Sequence, residues 1–208
     1  LTPLAESSVP GPAFDLALRS LRLHGEQARR LREETGVDVH YAEAPVLRLA
    51  FTEEEETRLR QQMAWQSPVG GEEARLEVGW VPGADLPRVE PCASPAARGA
   101  VRSAAEAQVD GYRLVLALAQ AASRRGATVR NGTVVGVRRD GDRVTGLTLA
   151  SGEVVSGGAY VFAMGPWTYL AGQWLGMSLP VEPLKGQLLR TLPPQAPLRC
   201  VLFHHGDY

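Results

Sequence analysis

The chain has 208 residues, with 22 Lys and Arg against 23 Asp and Glu and a formal net charge of −1. This balance gives no basic surface for nucleic acid, and no apolar run reaches the ~20 residues that a membrane span needs. Its 2 cysteines are too few for a disulfide framework, which favours a reducing, cytoplasmic location for a chain long enough to form one or two domains.

The first regular elements are two helices with a strand between them. Apolar residues recur at helical spacing from Pro12 to Glu34, and Gly36 follows as a C-terminal cap. The apolar run Val46–Phe51 predicts a strand. Thr52, followed three residues later by Glu55, predicts a capping box that opens the second helix.

A Gly- and Pro-rich connection covers residues 70–95, with one short strand predicted at Leu76–Trp80. The chain then becomes regular again. Asp110 is a suitable N-cap for a helix over Gly111–Arg125, which has an apolar face that includes Leu118. Gly126 marks the exit of this helix.

A series of short strands follows this helix. Turn signals separate predicted strands at 127–130, 133–138, 144–150 and 153–155. The last three are predicted to form an antiparallel meander. Residues 159–163, with the run Tyr160–Ala163, are apolar on both faces, as a strand buried between two layers is. The order of helices and strands predicts an α/β (α+β mixed) fold with a mixed sheet.

The segment Val161–Trp167 is the strongest local candidate for a binding site. A strand that ends in small residues and turns into a helix leaves backbone N–H groups open, and ligands bind at such strand ends in open α/β sheets. Gly165 permits a close approach of a ligand to the backbone. Val134 is a second candidate for ligand binding, because the backbone N–H and C=O groups of an edge strand can hold an adenine ring. The alternative for Val161–Trp167 is a strand-to-helix turn without a ligand, and the alternative for Val134 is a role in core packing.

Other patterns of chemical interest give weaker signals. His204 and His205 are adjacent on a strand and point to opposite faces, so we expect no shared metal ion. Cys92 has no histidine or second cysteine nearby in the sequence, and we interpret it as a structural thiol. The phosphate-binding glycine motifs and the Gly-x-Ser-x-Gly nucleophile motif do not occur.

Five stretches carry a resemblance to one family. In order along the chain they are 107–114, 125–137, 145–153, 161–167 and 179–187. They resemble the motifs "xVDPxxL", "GAxxxxxxxVxxI", "VxGVxTxxGxI", "VVxAxGxW" and "LPVxPxRGQ" of the FAD-dependent D-amino-acid oxidase family, and within it the glycine oxidase and sarcosine oxidase group. The departures are Gly111 in place of the usual proline, Lys185 in place of the commoner arginine, and the missing nucleotide-binding fingerprint.

The resemblance implies a two-domain flavoprotein: part of an FAD-binding mixed sheet with a β-meander, plus part of an antiparallel substrate domain. It assigns residues 1–38 to a helical segment on the FAD domain, 39–105 and 178–208 to two segments of the substrate domain, and 106–177 to the C-terminal part of the FAD-binding domain. The implied FAD contacts are Val134, Ala163, Met164, Gly165 and Trp167. Tyr208 is the implied substrate contact, and neither a catalytic side chain nor a metal is implied.

The activity implied is FAD-dependent oxidation of a small amine or amino acid by hydride transfer from its α carbon to flavin N5, which gives an imine. A flavin dehydrogenase of a hydroxy acid or glycerol phosphate, and a non-catalytic α/β binding module, are the alternatives. The chain begins at Leu1 rather than Met and ends at Tyr208 within a predicted strand. We therefore expect an internal, inactive piece of a longer protein, of unknown oligomeric state.

Overall fold

Six α-helices and nine strands form in the part of the chain that the structure, a computed structural model, describes: residues 1–67, 77–189, 192 and 197–204. The helices are α1 (Pro3–Glu6), α2 (Pro12–Thr35), α3 (Glu53–Gln66), α4 (Leu86–Val89), α5 (Gly111–Arg124) and α6 (Thr168–Leu175). The strands are β1 (Ala42–Glu43), β2 (Val46–Ala50), β3 (Val78–Pro82), β4 (Gly99–Ser103), β5 (Ala107–Gln108), β6 (Val134–Asp140), β7 (Arg143–Leu149), β8 (Val154–Val155) and β9 (Val201–Phe203).

The elements group into two compact units. The first unit is Leu1–Thr128 together with Leu192–Tyr208, and the second is Val129–Thr191. These units are groups of residues that contact one another. The assignment of segments to an FAD domain and a substrate domain stays a prediction.

A four-stranded sheet with the order β3-β4-β2-β9 forms the centre of the first unit. β4 pairs antiparallel with both β2 and β3, whereas β9 pairs parallel with β2. All five residues of β2 are buried, and all of them except Arg48 are apolar, as in a strand covered on both faces. Helix α3 packs on one face through Leu59, and the region around Leu86 covers the other face.

Helices α2 and α5 pack against each other in the same unit. The periodicity that predicts α2 is confirmed, and the helix ends at Gly36, whose left-handed φ of 78° closes the last turn. Buried Leu31 and Ala121 belong to the shared core. Leu118, predicted to lie on the apolar face of α5, is 39% exposed, and the buried position on that turn is Ala117.

The second unit contains the predicted meander. Strands β6, β7 and β8 pair in sequence order and are antiparallel throughout. The turn between β6 and β7 contains Gly141, whose φ of 56° lies in the left-handed region that glycine adopts without strain. Helix α6 packs against β6. The mixed α/β fold class is confirmed, because helices alternate with one mixed and two antiparallel sheets along the described chain.

Two predicted strands are wrong. Residues 127–130 are exposed and without regular structure. The run Tyr160–Ala163 is also without regular structure; Tyr160 and Phe162 are half-buried, and Val161 is 92% exposed. A strand forms only when a neighbouring strand satisfies its backbone hydrogen bonds. Neither segment has such a neighbour among the described residues.

Candidate functional site

Val134 begins β6, which is an edge strand of the three-stranded sheet in the second unit. The register of β6 against β7 shifts between Val134 and Gly136, so the strand bulges directly after Val134. One side of an edge strand presents backbone N–H and C=O groups without a partner in the sheet. Such groups suit the edge of an adenine ring, and the half-buried Val134 side chain adds no chemistry.

The second predicted element of the site is the turn before α6. A short 3-10 helix covers Gly165–Trp167, and its first residue has a left-handed φ of 55°. The turn is held by local hydrogen bonds: the Trp167 N–H donates to the Met164 carbonyl at 3.1 Å, and the Thr168 hydroxyl donates to the Gly165 carbonyl at 2.6 Å. Ala163 and Gly165 are exposed, and the Trp167 ring is 59% exposed.

The packing of α6 on β6 places Val134 and this turn on adjoining elements. Arg139, near the end of β6, donates to the carbonyl of Leu175 at the end of α6 at 3.2 Å. A Cβ added at Gly165 would meet nothing within 4 Å, so the backbone there faces open space. The residues present therefore fit a flat cofactor held through main-chain groups and close backbone approach.

His204, directly after β9 in the first unit, contacts the side chains of Glu55 and Phe51. His204 Nε2 lies 3.0 Å from Glu55 Oε1, and the His204 ring stands edge-on to Phe51 with centroids 5.0 Å apart. The predicted substrate contact Tyr208 lies outside the described residues, and so does His205. Across the described ranges, no three His, Cys, Asp or Glu side chains are grouped so that they could hold a metal ion.

A buried polar cluster that contacts α1 at the Leu4 carbonyl was not predicted from the sequence. Arg48, within the otherwise apolar β2, donates to the Leu4 carbonyl at 3.0 Å and to Gln66 Oε1 at 2.6 Å. Gln66 donates in turn to the same carbonyl at 2.9 Å. Nearby, the Glu106 carboxyl accepts from the Ser103 hydroxyl at 2.8 Å. The sequence signal for this cluster is an arginine inside a strand whose other residues are all apolar.

Glu90 is a second buried charged residue that the sequence did not reveal. Its side chain is fully buried and accepts hydrogen bonds from the backbone N–H groups of Cys92, Arg199 and Cys200. Desolvation raises the pKa of Glu90, but the three N–H donors together outweigh it and hold the pKa below its usual value. The carboxylate therefore stays charged in the folded chain.

Cys92 and Cys200 form no disulfide; Cys92 is half-buried and Cys200 is buried. Burial raises the pKa of the Cys200 thiol, and the nearby Glu90 carboxylate raises it further. A thiol with a raised pKa is a weak nucleophile. Among the described helices, none has the length and apolar content that would let it cross a membrane.

Comparisons with known proteins identify the family. The profile of the family described as "FAD dependent oxidoreductase" matches residues 2–208. This chain belongs to that family. It is 33% identical over 185 residues to hydrogen cyanide synthase subunit HcnC of Pseudomonas aeruginosa, covering 88% of this chain and 43% of the relative. It is 32% identical over 202 residues to glycine oxidase of Geobacillus kaustophilus, and the match covers 96% of this chain and 52% of the relative.

Structural comparison agrees with this family assignment. The crystal structure of glycine oxidase from Geobacillus kaustophilus superposes with a TM-score of 0.87 at 30% identity, covering 97% of this chain and 53% of that one. The resemblance to the D-amino-acid oxidase family and its glycine oxidase group is therefore confirmed, and the family is FAD dependent. The chain spans about half the length of the relatives it matches.

Proposed function

We propose that this chain is part of an FAD-dependent enzyme that oxidises a small amine or amino acid. The observation that carries the proposal is the family match across residues 2–208, supported by the close superposition on glycine oxidase. The chemistry supplied by bound FAD is acceptance, at N5, of a hydride from the substrate's α carbon, which leaves an imine. The two cysteines, which form no disulfide, are compatible with the cytoplasmic location that forms part of the proposal.

The roles proposed for this chain's residues on the cofactor side are binding and orientation. Val134 would hold the adenine through the backbone groups of its edge strand. Ala163, Met164 and Gly165 would lie against the cofactor with their backbone, and Trp167 would cover it with its exposed ring. The structure supports these roles through the open backbone at Gly165 and the packing of α6 on β6.

On the substrate side we propose that Tyr208 contacts the amino acid. The residue follows β9 in the sequence, and β9 is one of the two edge strands of the four-stranded sheet in the first unit. We also retain the proposed division into substrate-domain segments at 39–105 and 178–208, with residues 1–38 and 106–177 on the FAD side.

The experiment uses the whole protein, purified and examined for the absorption band of oxidised flavin near about 450 nm. Oxygen uptake and dye reduction are then followed with a panel of small amines and amino acids and with a panel of 2-hydroxy acids and glycerol phosphate. Activity on the first panel alone supports the proposal. Activity on the second panel alone assigns a hydroxyl substrate, and a colourless protein that refuses added FAD contradicts the proposal in favour of a binding module.

Two glycines provide a matched test of the cofactor site. Gly165 and Gly152 both have left-handed φ angles, 55° and 85°, and both have open space where a Cβ would stand. Alanine is therefore comparably strained at either position. Gly165→Ala is expected to weaken FAD binding about tenfold, or about 1.4 kcal/mol, because the added methyl group faces the proposed flavin. Gly152→Ala is expected to leave FAD binding unchanged, and equal effects would reject the proposed site.

A further inference from the structure

Strand β6, in the second unit, is irregular at two points. Its pairing register with β7 shifts between Val134 and Gly136, and it shifts again between Arg138 and Arg139. A β-bulge bends its strand and changes the direction of the side chains beside it. The first shift directly follows the proposed adenine contact, Val134. The second shift directly precedes Arg139, whose side chain reaches helix α6.

Arg139 joins β6 to the C-terminal end of α6. One guanidinium nitrogen donates to the carbonyl of Leu175, the last residue of α6, at 3.2 Å, and a second nitrogen lies 3.5 Å from the carboxylate of Asp142. The last carbonyls of a helix have no partner within the helix and carry its partial negative charge, so a guanidinium is favoured there. The bond therefore strengthens the packing of α6 on β6.

Helix α6 determines where the turn at residues 163–167 lies. It begins at Thr168, directly after this turn, and the Thr168 hydroxyl donates to the Gly165 carbonyl at 2.6 Å. Near the other end of α6, the Trp174 ring lies 6.5 Å, centroid to centroid, from the ring of Phe162, which directly precedes the turn. The turn is therefore connected to α6 at both of its ends, and a displacement of α6 moves the turn as well.

We propose that Arg139 is a positioning residue for FAD, which acts by fixing α6, and with it the turn at residues 163–167, relative to Val134 on β6. The inference rests on the proposed function, in which Val134 contacts the adenine and the turn lies against the flavin. Adenine and flavin are the two ends of one molecule, so holding both ends adds affinity only when the two contact regions are correctly placed relative to each other. Arg139 therefore affects the binding of the whole dinucleotide more than the binding of either half.

The test uses the whole protein, freed of flavin, and compares Arg139→Gln with Arg138→Gln, the same change at the neighbouring exposed arginine of β6. Three probes are titrated: FAD, and its two halves AMP and FMN. For Arg139→Gln we expect the Kd of FAD to rise about tenfold, and the Kd values of AMP and FMN to change less than about twofold. We expect hydrogen exchange of the peptide over residues 168–175 to accelerate at least about threefold, because the end of α6 is released. Arg138→Gln should change none of these.

Arg139→Lys serves if Arg139→Gln does not fold. It keeps the positive charge but replaces the planar guanidinium by a single ammonium group, so the same pattern should appear in milder form. Unchanged FAD binding, unchanged exchange over residues 168–175, or a weakening of AMP or FMN equal to that of FAD would overturn the inference. A wild-type protein that binds no FAD would instead overturn the proposed function, and the exchange measurement would still show whether Arg139 fixes α6.

Discussion

Glu106 is a carboxyl group that the fold buries without fully pairing it. Its side chain is 1% exposed, and Oε2 has no hydrogen-bond partner among the described residues. Burial raises the pKa of Glu106, against the lowering effects of the Ser103 hydroxyl, the Arg48 guanidinium and the amino group of Leu1. A protonated carboxyl loses less than a carboxylate when it leaves water. The protonated form of Glu106 is therefore the one that stabilises the folded chain.

This shift predicts a pH-dependent free energy of unfolding. Because the folded pKa of Glu106 is raised above the unfolded value of about 4.3, its contribution is complete below that value and is lost as pH rises through the folded pKa. The loss is at most about 1.4 kcal/mol per pH unit. Glu106→Gln cannot ionise, so we expect its stability relative to wild type to rise between pH 5 and pH 8 in urea unfolding.

Glu33→Gln is the control for Glu106→Gln, because it makes the same change at an exposed carboxylate. The free energy of unfolding of Glu33→Gln should differ from that of the wild type by the same amount over the whole pH range. If the free energy of unfolding of Glu106→Gln relative to wild type is also independent of pH, Glu106 has the same pKa in the folded and unfolded chains and the prediction is wrong.

At the scale of elements, the capping box of α3 predicts a specific loss of stability. The Thr52 hydroxyl accepts from the Glu55 N–H at 3.2 Å, and the Glu55 carboxylate accepts from the Thr52 N–H at 3.2 Å. We expect Thr52→Ala to reduce the free energy of unfolding by about 0.5–2 kcal/mol. The control is Thr57→Ala, the same change at an exposed interior position of α3. It should not reduce the free energy of unfolding, because alanine has the higher helix propensity. Equal losses in chemical denaturation would contradict the capping role.

Several of the elements that sequence reasoning predicted have hydrogen bonds that close locally. The capping box at Thr52, the exit of α2 at Gly36 and the meander turn at Gly141 each involve residues a few positions apart. The failures depend on distant partners: the run 160–163 has no neighbouring strand among the described residues, and Glu90 binds backbone 109 residues away. For the candidate site, the sequence indicated a turn at Gly165, and its role toward FAD stays a prediction.

At the scale of the whole molecule, the second unit contains apolar side chains that are largely exposed. Leu184, Leu188 and Leu189 are each at least 80% exposed, and Val161 is 92% exposed. Exposed apolar side chains that adjoin one another on a protein surface favour association or aggregation. Covering one leucine side chain is worth about 1.5–3 kcal/mol, so several leucines together supply a strong drive to associate.

We therefore expect the 208-residue chain, expressed by itself, to self-associate and to bind a fluorescent apolar dye. The double change Leu184→Lys and Leu189→Lys should shift it toward the monomer in sedimentation velocity and lower the dye signal at least about threefold, because two of the exposed apolar side chains become charged. The matched control, Gln173→Lys with Gln187→Lys, adds the same charge at exposed polar positions and should leave dye binding unchanged.

If the unaltered chain is monomeric and binds no dye, these leucines are covered within the chain itself. If both double variants suppress association equally, net charge rather than apolar surface controls it. A fall with the leucine variant alone identifies the leucines as the apolar surface that drives the association.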